Sequence, residues 1–159
     1  MALTPEQRAT LKADVEADPA FAALPHNSDG AWAIAEAYNL PADPVFRVWK
    51  TDFTTDDVRK NVVWTEYIAA TSAAERDAFK IITQNGIVNS ADPNVRQAFL
   101  DIFSGPQKAI TRSQLAAASV RDATRIEALL ATGDGIGGTA TMTHQGSISY
   151  SEVQQAMGW

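Results

Sequence analysis

This sequence predicts a mainly α-helical protein: a compact bundle of six or seven short helices with a Gly-hinged C-terminal arm. Three observations point there. Helix-start signals of the Thr-Pro, Asp-Pro and Ser/Thr-x-x-Glu kind recur along an Ala-rich chain. Apolar residues between them fall at helical spacing. After Ala131 the character changes, and Gly133-Asp134-Gly135-Ile136-Gly137-Gly138 leads into a polar, β-prone run. The expected division is a helical body over residues 1–132, then a hinge and arm over residues 133–159.

The elements follow in order. Thr4-Pro5-Glu6-Gln7 is a capping box with Pro at the first helical position. Its helix buries Leu3, Leu11 and Val15 and stops by Asp18-Pro19. A short helical turn covers residues 19–24. Residues 25–30 form a loop that caps a second helix over about 29–38, with Trp32, Ile34, Ala35 and Tyr38 at near-helical spacing. Pro41 and Pro44 interrupt the chain. Residues 45–50 read as a short helix started by Asp43-Pro44, with a strand as the alternative.

Thr54-Thr55-Asp56-Asp57 starts a helix running to about residue 69, with Val58, Val62 and Trp64 or Thr65 inward. Thr71 or Ser72, with Glu75, starts one that ends before Gly86. Asp92-Pro93 starts one that ends at Ser104-Gly105. Thr111 starts a long helical stretch that Gly133 terminates; Asp122, also an N-cap residue type, is a candidate break within it. In the arm, His144-Gln145-Gly146 turns the β-prone run back on Ser147-Ile148-Ser149, giving a short hairpin or an extended segment. Ser149-Tyr150-Ser151-Glu152 is the capping box of a last short helix ending at Met157 or Gly158.

Composition narrows the function. With 159 residues, one domain is the default, and a sizeable core is within reach. There is no Cys, which removes disulfides, thiolate metal sites and cysteine catalysis. Nineteen acidic residues against 13 basic leave a net charge of −6. A general electrostatic footprint on nucleic acid or on an anionic membrane is disfavoured. No apolar run approaches the roughly 20 residues of a membrane-spanning helix. The opening Met-Ala-Leu-Thr-Pro-Glu-Gln lacks the basic start and apolar stretch of a signal peptide, so a cytoplasmic origin is expected.

Candidate chemistry is sparse. Gly146, Ile148 and Glu152 fall where a calcium-binding EF-hand loop places its Gly, its apolar residue and its bidentate Glu. Thr141, Thr143 and Gln145 then stand at its other ligand positions. With one carboxylate, that set does not neutralise a calcium ion, so no binding is expected. The Gly-rich run follows a helix and lacks the Lys of a phosphate-cradling loop, so a hinge is the expected role. His26, near Ser28 and Asp29, and His144 each lie in a loop, and no strand–turn–helix elbow presents a nucleophile. Asp56-Asp57 sits where a helix N-terminus favours negative charge. No catalytic, cofactor or metal residues are expected, and the chain is read as not an enzyme.

Two sets of residues suggest contacts instead. Arg121 and Arg125, four apart on one expected helix face with Arg112 and Lys108 upstream, form either a solvated face or a polar, channel-lining strip. Trp159 is a large aromatic at the end of the arm, and burial is expected either on its own body or on another subunit. Met142, Ile148, Tyr150, Val153 and Trp159 are the expected subunit-contact residues of the arm.

Several stretches together resemble proteins of tailed bacteriophages and prophages. They are Leu3-Thr-Pro-Glu-Gln7 with Leu11-Lys-Ala-Asp-Val15, Asn27-Ser-Asp-Gly-Ala-Trp-Ala-Ile-Ala-Glu-Ala-Tyr38, Phe46-Arg-Val-Trp-Lys-Thr51 and Asp101-Ile-Phe-Ser-Gly105. Ala123-Thr-Arg-Ile-Glu-Ala-Leu-Leu-Ala-Thr-Gly133 and Gly146-Ser-Ile-Ser-Tyr-Ser-Glu-Val153 continue the likeness. The resemblance implies a structural protein of the virion, foremost a head–tail connector or adaptor that forms a homo-oligomeric ring at the neck. Its implied partners are copies of itself and the portal or other neck and tail proteins, with DNA at most passing through the channel and no membrane. The chain would be made in the host bacterial cytoplasm and located in the virion. A capsid cement protein, a minor tail protein and a small helical cytoplasmic binding module are the alternatives.

Overall fold

Capping signals in the sequence start helices where they stand. The computed structural model describes residues 2–159 and is mainly helical, with ten α-helices and four short strands among those residues. Thr4 Oγ1 accepts the Gln7 N–H while Gln7 Oε1 accepts the Thr4 N–H, opening α1 (Pro5–Ala17). Asp18 caps α2 (Pro19–Ala22), and Asn27 Oδ1 accepts from the N–H groups of Asp29 and Gly30 to open α3 (Ser28–Asn39). Gly30 leaves no room for a side chain: a Cβ there would lie 2.0 Å from the Pro25 carbonyl oxygen.

The strand alternative holds for residues 45–50, because β1 (Arg47–Trp49) replaces the expected short helix. Its backbone is claimed by distant partners. Phe46 O accepts from Ala123 N, Arg47 N donates to Gly135 O, and Arg47 O accepts from Ala140 N. With those bonds taken, a local helical ladder has no donors or acceptors left to use.

After β2 (Phe53–Thr54), the helix expected from Thr54 to about 69 breaks in two, as α4 (Thr55–Lys60) and α5 (Trp64–Ala70). Asn61 Nδ2 turns back to Asp57 O, and Val63 N donates to Thr111 Oγ1, so the turn between them is pinned from outside the helix. Val58 and Val62 are buried as expected, whereas Trp64 and Thr65 are exposed. Ser72 and Glu75 form the box that opens α6 (Ala73–Thr83), β3 (Ile87–Val88) follows, and Asp92 caps α7 (Pro93–Ile102).

The long stretch expected from Thr111 to Gly133 is also divided. A 3-10 turn at Pro106–Lys108 leads into α8 (Ala109–Ala118), followed by β4 (Val120–Asp122) and α9 (Arg125–Leu130). Thr111 is buried inside α8 rather than at its start. The break was written in the sequence as Thr124-Arg125-Ile126-Glu127, a complete capping box. The last helix, α10 (Tyr150–Met157), starts at Ser149 as expected, and Gly158 ends it in the left-handed conformation.

Two compact units result, and their limits differ from the expected division near residue 132. The described residues up to Val48 join Asp122–Trp159 in the first unit, and Trp49–Arg121 form the second. The first has its core between α1, α3, α9 and α10, from Leu11, Val15, Ile34, Tyr38, Ile126 and Val153. The second is built on Phe53, Val58, Val62, Phe79, Phe103 and Leu115, with β2 and β3 antiparallel in the register Phe53↔Val88. Tyr67, Phe79, Phe99 and Phe103 add ring contacts there at centroid distances of 5.2 to 6.5 Å. Burying each such large apolar side chain contributes about 1.5–3 kcal/mol.

Candidate functional site

The sequence marks the arm residues for contact with a neighbour. Ile148 and Val153 are buried in the first unit's core beside Leu3, Leu11, Val15 and Ile34. The Asn39 side chain brackets Ile148, donating to its O and accepting from its N, both at 2.9 Å. Met142 packs on the small cluster of Val48, Ala123 and Ala140. Trp159 packs on the core and stacks on His26. These four side chains are therefore used within their own unit, and Tyr150 alone of the expected contact set is exposed. No hairpin forms between residues 139 and 149. The β-prone run instead makes isolated bridges, Ala140 with Val48 and Thr141 with Thr132.

The Gly-rich segment is bonded within itself and packed under Phe46. Asp134 Oδ1 accepts from Ile136 N and Gly137 N, which holds its carboxyl below the usual range. Gly135 is buried under Phe46, where a Cβ would come within 2.4 Å of the ring.

The one carboxylate of the EF-hand-like stretch, Glu152, is committed elsewhere. Glu152 completes the Ser149 capping box and accepts from Leu3 N at 3.3 Å, bonds that lower its pKa against the opposing effect of burial. Gly146 N donates to Oε1 of the buried Glu127, whose Oε2 caps α9 through Thr124 N.

The three arginines do not share a helix face. Arg121 lies in β4 and Arg125 in α9. Arg125 is held by Asp14 at 3.3 Å and Asp18 at 3.5 Å, and its guanidinium covers the rings of Phe21 and Tyr38. Tyr38 in turn donates to Asp14, and burial raises its pKa. Arg112, in α8, donates to the carbonyls of Phe103 and Gly105. Lys108 is buried, and its Nζ donates to Glu75 at 2.7 Å and to Ile102 O at 2.6 Å.

An exposed apolar surface carries Trp64, which with Thr65 as the alternative was expected to face inward. On α5, Trp64 and Ile68 stand one turn apart, 47% and 68% exposed. Two bonds fix α5 against the start of α8: Thr111 Oγ1 accepts from Val63 N, and Thr111 N donates to Glu66 at 2.9 Å. The second bond keeps the Glu66 carboxyl below its ordinary range. Ile110, adjacent to Thr111, is 57% exposed. The corner thus presents three large apolar side chains on a backbone that is firmly bonded.

No protein-family model, no curated protein and no solved structure matches this chain.

Proposed function

We propose that this chain is a non-enzymatic structural subunit of a tailed-bacteriophage particle, of the head–tail connector type, forming a ring of identical copies at the neck. The observation that carries the reading is the exposed apolar corner of Trp64, Ile68 and Ile110 on the bonded α5–α8 scaffold. Aromatic and aliphatic groups held rigidly at a surface are what a self-associating protein buries. The resemblance of several stretches to phage and prophage proteins supplies the particle.

The ring contact is assigned to this corner rather than to the arm, because Ile148 and Val153 already serve their own core. From the arm, Tyr150 is left on the surface for a neighbour. Most ionisable groups described above are spent on caps and ion pairs, as a scaffold requires.

The test is the oligomeric state and the particle content. Purified chain should form a closed oligomer by light scattering, and particles should contain it at ring copy number. Trp64→Glu and Ile68→Glu should give folded monomers that no longer enter particles. A copy number in the hundreds would make it a capsid cement protein, and a wild-type monomer absent from particles would refute the assignment.

A further inference from the structure

The second unit contains a cavity of about 210 Å³ whose chemistry points to a ligand. Its walls are apolar: Phe53, Phe99, Leu100, Leu115 and Trp49. Four polar residues also line it, Ser90, Arg96, Arg112 and Ser119, and the Ser119 hydroxyl is spent on Ala116 O. Ser90 is 3% exposed, and no group among the described residues bonds its hydroxyl. Its main chain is fixed on both sides, since Ser90 N donates to Lys50 O at 2.9 Å and Ser90 O accepts from Arg96 Nη1 at 2.8 Å. The side chain is thereby held in place without a partner of its own. Leaving a buried hydroxyl unbonded is costly, and proteins rarely do so.

Both guanidinium groups retain binding capacity. Arg96 lies 4.7 Å over the Trp49 ring and spends Nη1 on the carbonyls of Ser90 and Ala91. Arg112 likewise spends Nη1 on two carbonyls. Neither forms a salt bridge with a carboxylate among the described residues, although Glu66 is close enough to Arg112 to feel its charge. Each keeps Nε–H and Nη2 donors in the fork that matches a carboxylate. Two cations on the wall of an apolar cavity, in a chain of net charge −6, mark a local site for an anion.

We propose that this cavity binds a small amphipathic monocarboxylate, an alkyl or aryl acid, with its carboxylate at Ser90 and Arg96 and its apolar body against Phe53, Phe99 and Leu115. The volume is below the roughly 300–1,000 Å³ of pockets for drug-sized ligands, which restricts the occupant to a few carbons or one ring. The apolar walls disfavour phosphate and other anions that lack an apolar body. This inference does not depend on ring assembly, and its test reads binding alone.

The full chain is titrated with hexanoate and phenylacetate, and with the neutral isosteres hexanol and phenylacetamide, by calorimetry and by amide chemical-shift mapping. The acids should saturate at one site per chain, with shifts centred on Ser90 and Arg96. The neutral isosteres should bind about tenfold more weakly, the difference expected of a charge-assisted hydrogen bond. Ser90→Ala and Arg96→Met should each weaken the acids by a similar factor and weaken hexanol by less. Ala116→Trp, at an exposed position on the rim, should block all four compounds while the chain stays folded. Shift mapping on the unmodified chain keeps the test decisive if a variant misfolds. Equal affinity for acids and neutral isosteres, no saturation, or shifts elsewhere would overturn the proposal. So would binding of an acidic peptide with none of the free acids.

Discussion

Trp159 stacks on His26, with ring centroids 4.6 Å apart and planes inclined by 14°. The pair joins the end of α10 to the loop before α3. It is the last of several ties along that helix, after Leu3 N to Glu152 and the Asn39 bracket on Ile148. The arm is consequently an integral layer of the first unit.

Deleting residues 135–159 should therefore unfold the first unit rather than leave an intact body. The deletion strips Ile148 and Val153 from the core and exposes Leu3, Leu11 and Ile34. Amide spectra of the truncated chain should lose dispersion for residues of α1 and α3. Retention of those signals with an unchanged melting temperature would show that the arm is dispensable.

Asn39→Ala should cost about 1–3 kcal/mol, because the N–H and C=O of Ile148 lose their partners in a partly buried setting. Ile148→Ala should cost about 2–5 kcal/mol through the cavity it leaves. Denaturant melts of the two single variants and the double variant measure both effects, and their contact should make them non-additive.

Gly135→Ala should destabilise by about 1–3 kcal/mol, since the new methyl meets the Phe46 ring at 2.4 Å. Combining it with Phe46→Ala should recover part of the loss. A double-mutant cycle with no coupling between the two positions would contradict the close approach.

The Glu75–Lys108 pair should produce an acid-side loss of stability. Donation from Lys108 Nζ, reinforced by Ser72 N–H, pulls the Glu75 carboxyl from 4.5 down to about 2. A folded-state pKa below the unfolded one stabilises at pH values above the unfolded value. That contribution shrinks as pH falls from about 4.5 toward 2. Lys108→Met should flatten melting temperature against pH in this window. Glu75→Ala should cost about 3 kcal/mol by leaving the buried ammonium without its carboxylate.

Local chemistry was legible from the sequence alone. Thr4, Ser72, Asp92 and Ser149 cap the helices that their side chains announced, because a cap needs only partners two or three residues away. The mainly helical class followed from the same signals. The box at Thr124 is equally local and divides the stretch expected to be one long helix. Other features depended on partners distant in sequence. Residues 46 and 47 became extended because Ala123, Gly135 and Ala140 supply their backbone bonds. Trp64 faces outward because Thr111 fixes the start of α5. The unpartnered Ser90 hydroxyl shares a cavity with Arg96 and Arg112 because α7, α8 and the segment after β3 converge there. The sequence determined which segments form helices and where most of them begin. Tertiary structure decided which faces are buried and which side chains meet, since long-range bonds and packing outweigh propensities of a few tenths of a kcal/mol to about 1 kcal/mol per residue.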